Sequence, residues 1–130
     1  MRNILVCLPF VFSLVITGCR KPSAGDYPIQ PVPFTQVQVT DSFWLPKIET
    51  NRTVTIPFAF RKSEETGRIA NFAVAGKVIP GKFCSKYGYD DSDVYKIIEG
   101  AAYSLATHPD PKLEAYLDSL ANLIAKAQEP

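Results

Sequence analysis

The sequence predicts a mainly α-helical fold, and three observations carry that expectation. The last forty residues hold two amphipathic stretches of helical period, separated by "HPDP". Proline is concentrated before residue 60, where it punctuates short segments rather than a sheet. Alternation of period two is confined to "TQVQVT" at residues 35–40, enough for at most one short strand.

Taken in order, "MRNILVCLPFVFSLVITGC" has a positive start at Arg2, an apolar run from Ile4 to Ile16 and small residues at Thr17 and Gly18. It reads as a secretory signal over residues 1–18, too short to span a bilayer comfortably. "ITG" before Cys19 resembles the lipobox of bacterial lipoproteins, which implies cleavage before Cys19 and acylation of its thiol. The expected location is exported and lipid-anchored to a bacterial membrane, periplasmic or at the cell surface. Residues 19–35 read as a Pro-rich extended tether.

Asp41 is placed to cap a helix starting "SFWLPKIETNR", with Pro46 in its first turn and Phe43, Trp44, Leu45 and Ile48 on its buried side. Pro57 reads as a second break, followed by a short helix, "PFAFRKSEETG", that Gly67 stops. Residues 67–89 contain four of the seven glycines and the aromatics Phe72, Phe83, Tyr87 and Tyr89. They read as a long loop, whose rings suit stacking on a flat ligand such as a sugar and equally suit packing within the loop itself. Their glycines fit neither a Walker loop nor a dinucleotide fingerprint.

A helix is expected from about Ser92 to Thr107. A second, opened by Asp110 and Pro111, is expected to run to about Gln128, making an αα-hairpin. The second helix sets Leu113, Tyr116, Leu117, Leu120, Leu123, Ile124 and Ala127 against Glu114, Asp118, Asn122 and Lys126, a half-buried pattern. The first carries Val94, Ile97, Ile98, Ala101 and Leu105 on one face and few charges on the other, as expected if both faces are enclosed. An inner and an outer helix in succession are the unit of a two-walled α/α barrel or a helical solenoid, and one unit cannot bury its own apolar face.

Charge and cysteine content exclude several functions. Fourteen Lys and Arg face thirteen Asp and Glu, without a basic cluster, so no electrostatic footprint for nucleic acid exists. Cys7 lies in the leader and Cys19 is the lipidation position, which leaves Cys84; the three spacings make neither a disulfide framework nor a zinc site. Cys84, with no His nearby in sequence, reads as structural. His108, in the "HPDP" turn, reads as structural as well.

The acids of "DDSDVYKIIEG", residues 90–100, pose the sharpest question. A calcium loop opening at Asp90 needs Gly at its sixth position and Glu at its twelfth, where Tyr95 and Ala101 stand. Asp93 and Glu99 project about 120° apart around a helix, which does not define a two-carboxylate pair. A helix start explains the acids well: Asp91 can cap, and first-turn carboxylates gain about 0.3–1 kcal/mol each from the helix dipole.

With its neighbours, the stretch carries a resemblance. "DSFWLPKIETNRTVTIPFAFRKSEETGRIANFAVAG" and "DDSDVYKIIEGAAYSLATHPDPKLEAYLDSLANLIAKAQEP" resemble the N-terminal portion of glycoside hydrolase family 127, the β-L-arabinofuranosidase family. The resemblance covers residues 36–130, and "DSDVYK.IEGAAY.LA.HPDP.L" is its most specific part. It implies an (α/α)6 barrel followed by β-sandwich domains, of which residues 36–130 would be the N-terminal helices and one αα-hairpin of a truncated catalytic domain. It implies hydrolysis of non-reducing terminal β-L-arabinofuranosides with retention, by a cysteine nucleophile activated by zinc on further cysteines and a glutamate. Those residues would lie downstream of Pro130, so no catalytic residue, no metal ligand and no cofactor site is expected within this chain, and Cys84 does not match the nucleophile's motif.

In such barrels, inner-helix starts and the loops before them line the sugar pocket. The pocket candidates are therefore Asn71, Phe72, Asp93, Tyr95 and Lys96. The expected partners are an arabinofuranoside or related plant glycan, the membrane through Cys19, and the remaining C-terminal part of the barrel. The alternative reading is a small lipid-anchored helical module that binds a glycan or protein without catalysis.

Overall fold

The computed structural model describes residues 29–128, which places the signal stretch and Cys19 outside the described residues. The chain divides into two compact units, Met1–Pro31 and Val32–Pro130. Of the first, residues 29–31 are described, without regular structure. The second is helical: a 3-10 turn at Phe34–Gln36, then α1 (Trp44–Thr50), a π-helical turn (Asn51–Thr55), α2 (Ile56–Glu65), α3 (Arg68–Ala75), α4 (Asp91–Thr107) and α5 (Pro111–Ala127).

"TQVQVT" forms no strand; its start belongs to the 3-10 turn and the rest is irregular. A strand needs a neighbour to pair its backbone groups, and no second strand exists among the described residues. Phe34 instead packs edge-on against Tyr103 of α4, centroids 5.3 Å apart.

Asp41 opens α1 as its sequence position predicts: its carboxylate accepts from the backbone N–H of Phe43 at 2.9 Å and of Trp44 at 2.6 Å. These bonds, that of Trp44 foremost, hold its carboxyl below the usual range. Pro57, in contrast, does not break the helix. The π turn carries the backbone from α1 into α2, with Ile56 N–H reaching back five residues to Asn51 O. Widening the turn just before Pro57 displaces the carbonyls its ring would strike, and the missing N–H falls in the first turn of α2. Thr50 and Thr53 hydroxyls donate to the carbonyls of Pro46 (2.9 Å) and Glu49 (2.7 Å) along this stretch.

Gly67 ends α2 in the left-handed conformation, φ +79°. A helix follows immediately where a loop is expected, because Ile69, Phe72, Ala73 and Gly76 recur at i, i+3, i+4 and i+7 and form one apolar stripe. Gly76 ends α3 where a Cβ would come within 2.9 Å of Lys126 O on α5, so the two C-terminal ends approach closely. The irregular segment is thus residues 76–90.

Asp110 caps α5, accepting from Lys112 N–H (3.0 Å) and Leu113 N–H (3.2 Å). The core lies between α2, α4 and α5: Ile56, Phe60, Ala101 and Leu120 are buried, with Ile69, Ile97, Ile98, Leu113, Tyr116 and Leu117 packed around them. Val94 is fully enclosed. Tyr116 adds a polar tie, its hydroxyl donating to Glu64 Oε1 at 2.6 Å. The second face of α4 departs from the doubly enclosed pattern: Tyr95 and Tyr103 are exposed, and a Cβ on Gly100 would meet nothing. The short α1 and the 3-10 turn are too small to cover seventeen residues of helix. His108 meets Glu49 across this side, Nε2 to Oε1 3.6 Å, as a tie between the hairpin turn and α1.

Candidate functional site

Three short sequence segments converge on the start of α4. Asn71, on α3, accepts from the backbone N–H of Cys84 at 2.8 Å through Oδ1, while its Nδ2 lies 3.3 Å from the Cys84 sulfur. Cys84 packs against Gly67, whose hypothetical Cβ would stand 2.9 Å from Cys84 Cβ. The aromatic segment is therefore pinned to α3 at its middle. Tyr87 N–H donates to Ser85 Oγ at 3.1 Å, which shapes the turn that presents the tyrosines.

The three acids of "DDSD" have three different surroundings. Asp90 is buried and accepts from Ser85 Oγ and, at 3.7 Å, from the Cys84 thiol; Arg68 lies 3.8 Å from its other oxygen. It occupies the cap position of α4, yet its side chain caps nothing, since the loop claims the carboxylate. Asp91, expected as the cap, is the first residue of the helix and exposed, with no hydrogen-bond or ion-pair partner among the described residues. Asp93 bonds Lys96 Nζ at 3.2 Å and Arg68 Nε at 3.0 Å. Lys96 first, and Arg68 with it, hold the Asp93 carboxyl below the usual range.

The five pocket candidates fall in two places. Asn71, Phe72 and Tyr95 line a depression of about 420 Å³ together with Phe83, Tyr87 and Asp91. Asp93 and Lys96 line another, about 340 Å³, beside Lys62, Thr66 and Arg68. Helical geometry separates them: Asp91 and Tyr95 are four residues apart and share a face, while Asp93 and Lys96, three apart, share the next. Phe72 forms the floor of the first depression, buried, its ring edge-on to Tyr95 with centroids 5.8 Å apart. Tyr87 stacks on Tyr89 at 5.4 Å and 27°. Phe83, Tyr87 and Asp91 stand outside the candidate set, although the aromatic and glycine content of residues 67–89 is a signal for the first two.

No group of three His, Cys, Asp or Glu side chains among the described residues could hold a metal ion. Cys84 is a free thiol among Asn71, Gly67 and Asp90, a setting with one carboxylate and no imidazole. These residues do not fit a zinc site.

The described residues thus form a helical unit with an aromatic, carboxylate-edged depression beside the start of α4. Residues 36–130 match the family described as β-L-arabinofuranosidase, GH127 catalytic domain, and the chain belongs to that family. The non-reducing end β-L-arabinofuranosidase of Bifidobacterium longum subsp. longum is 48% identical over 61 residues, which are 47% of this chain and 9% of that protein. The solved structure of the GH127 β-arabinofuranosidase BT3674 matches with a TM-score of 0.73 and 54% identity, covering 80% of this chain and 16% of that one. The chain therefore spans a small part of the length of both relatives.

Proposed function

We propose that residues 36–130 form one wall of the catalytic barrel of a glycosidase that releases β-L-arabinofuranosyl units from the non-reducing ends of glycans. The observation that carries this reading is 54% identity over 80% of the chain to a GH127 β-arabinofuranosidase, at a TM-score of 0.73. Identity at that level reaches beyond shared fold to shared side chains. The exposed second face of α4, with Tyr103 and the open side of Gly100, supports the same reading, because it is the surface a further barrel helix would bury.

In this proposal, the wall contributes shape and positioning rather than the bond-breaking groups. Asn71 and Asp90 hold the aromatic segment. Phe72 and Tyr95 furnish apolar surface for a sugar face. Asp93 and Lys96, tied to Arg68, brace the start of α4. Zinc, when bound elsewhere in the enzyme, would supply an activated thiolate nucleophile, and its ligands would come from outside the described residues. The wall alone would be inactive. Cys19 would carry lipid and hold the enzyme at a bacterial membrane, a reading supported by the "ITGC" pattern behind an apolar leader.

The test is hydrolysis of methyl β-L-arabinofuranoside by the natural polypeptide that carries these residues, followed by proton NMR. The expected result is L-arabinose released first as the β anomer, with the α-L-arabinofuranoside untouched. Turnover of neither glycoside, or of the α anomer alone, would overturn the proposal. For the anchor, a clickable fatty acid should label the wild-type protein and leave Cys19→Ser unlabelled.

A further inference from the structure

We propose that residues 32–47 form a seat for a phospholipid surface, with Phe43, Trp44 and Lys47 as the groups that enter the headgroup layer. The seat shares no residue with either depression at the start of α4. It rests on the lipid-anchor reading of Cys19 and adds which part of the fold meets the bilayer.

Exposure is the first observation. The stretch "VPFTQVQVTDSFWLPK" is exposed throughout except at Val39, which is half-buried. Six large apolar side chains in it stand in solvent: Val32, Phe34, Val37, Phe43, Trp44 and Leu45. Pattern alone assigns Phe43, Trp44 and Leu45 to the buried side of α1, yet they are 60%, 58% and 38% exposed. Single apolar residues scattered over a surface need no explanation. So many in one short stretch of chain make a patch, and such patches mark surfaces that something covers.

The rings at the start of α1 are also held in order. Asp41 accepts from the backbone N–H of both Phe43 and Trp44, and the two rings meet edge to face, centroids 5.0 Å apart at 85°. Asp41 is the one acid of the stretch, and its carboxylate is turned onto the backbone. Lys47 Nζ stands 4.6 Å from the centroid of the Phe43 ring and has no carboxylate partner among the described residues. Tryptophan and its aromatic neighbours settle at the level of lipid headgroups, while a lysine beside them reaches to the phosphates. Two ordered rings with an unpaired ammonium therefore complement a phospholipid surface: apolar bodies toward the acyl chains, cation toward the phosphate layer.

Position along the chain favours a membrane over a soluble partner. Phe34 is fixed to the fold through Tyr103, centroids 5.3 Å apart. Fifteen residues separate it from Cys19, a reach of at most roughly 50 Å when fully extended. A lipidated Cys19 would keep the stretch within that distance of the bilayer. Two rings and one cation bind lipid weakly by themselves, and tethering makes such contacts effective by raising their local concentration.

The experiment takes the natural polypeptide produced without residues 1–19, so that neither leader nor lipid contributes. Its partition is measured by cosedimentation with vesicles of mixed phosphatidylethanolamine and phosphatidylglycerol. Phe43→Ala and Trp44→Ala should each weaken partition about tenfold at unchanged circular dichroism, the scale of leaving one aromatic side chain in water. Lys47→Glu keeps both rings and carries the test if an aromatic variant misfolds. It should weaken partition several-fold on these vesicles and less than about twofold on pure phosphatidylcholine. Absent partition, or partition within about twofold of wild type in all folded variants, would overturn the seat. So would protection of Phe43 and Trp44 from hydroxyl-radical labelling in the vesicle-free polypeptide, because another part of the protein would then cover them. Fatty-acid labelling of Cys19 without variant-sensitive partition would sink the seat and leave the anchor standing. Variant-sensitive partition without labelling would keep the seat and remove the anchor.

Discussion

Asn71 and Cys84, thirteen residues apart, are joined twice: the amide oxygen takes the Cys84 backbone N–H at 2.8 Å, and the amide nitrogen lies 3.3 Å from the sulfur. This one side chain anchors the aromatic segment to α3. Asn71→Ala leaves the Cys84 N–H without its partner, so the expected cost is about 1–2 kcal/mol, read as a lower melting temperature. Hydrogen exchange should quicken at residues 83–88 before it does in α5. Cys84→Ser keeps the backbone bond and should cost less.

Gly67 meets Cys84 at its other side, and two separate penalties apply to a side chain there. The backbone has φ +79°, and a new Cβ would lie 2.9 Å from Cys84 Cβ. Gly67→Ala should destabilise the fold by roughly 1–3 kcal/mol. Cys84→Gly removes the clash and leaves the backbone strain. The double variant should therefore lose less than the two single losses added together, a coupling that thermal melts of all four proteins can measure.

Asp93 makes the acid stability of the α3–α4 junction predictable in sign. Its carboxyl is held below the ordinary 3.8 by Lys96 first and then Arg68. A lowered folded value means the contribution is complete above the ordinary value and disappears as pH falls through the folded one. Melting temperature followed downward from about pH 6 should drop below about pH 4, and Asp93→Asn should flatten part of that drop. The residue is solvent-exposed, so added salt should shrink the difference.

Tyr116 ties α5 to α2 through Glu64, and its phenol is pushed above the ordinary 10.0 by burial first and then by the Glu64 bond. A raised value in the folded state gives stability that is full below the ordinary value and is lost as pH climbs through the folded one. Tyr116→Phe keeps the ring against Phe60, centroids 5.0 Å apart, and removes only the hydroxyl. It should cost about 0.5–1.5 kcal/mol near neutral pH, measured by urea unfolding, with no change in slope.

How far the sequence foretells these features depends on how local their causes are. Asp41 and Asp110 are legible as caps because the hydrogen bonds they accept come from two and three residues away. α5 is legible from its leucine stripe. α3 is hidden because two turns of helix hold few periodic positions, and the glycines around it dominate the local composition. Pro57 misleads for a different reason: a π turn absorbs it, and Ile56 and Phe60 beside it pack with Ala101 and Leu120, contacts distant in sequence that no local pattern encodes. The candidate site divides along the same line. Treating residues 93–96 as one block overlooks the turn of the helix, which sends Tyr95 toward the aromatic segment and Asp93 and Lys96 toward Arg68. The burial of Asp90 depends on Ser85 and Cys84 folding back over it, so "DDSD" alone reads as a capped helix start.

The family match and the uncovered face of α4 are the grounds for the proposal that residues 36–130 are one wall of a larger barrel. The most direct measurement is the size of the native product, blotted from the source organism with an antibody raised against residues 90–128. The expected band is several times larger than 14.4 kDa. A folded, abundant product at or below 14.4 kDa would contradict it.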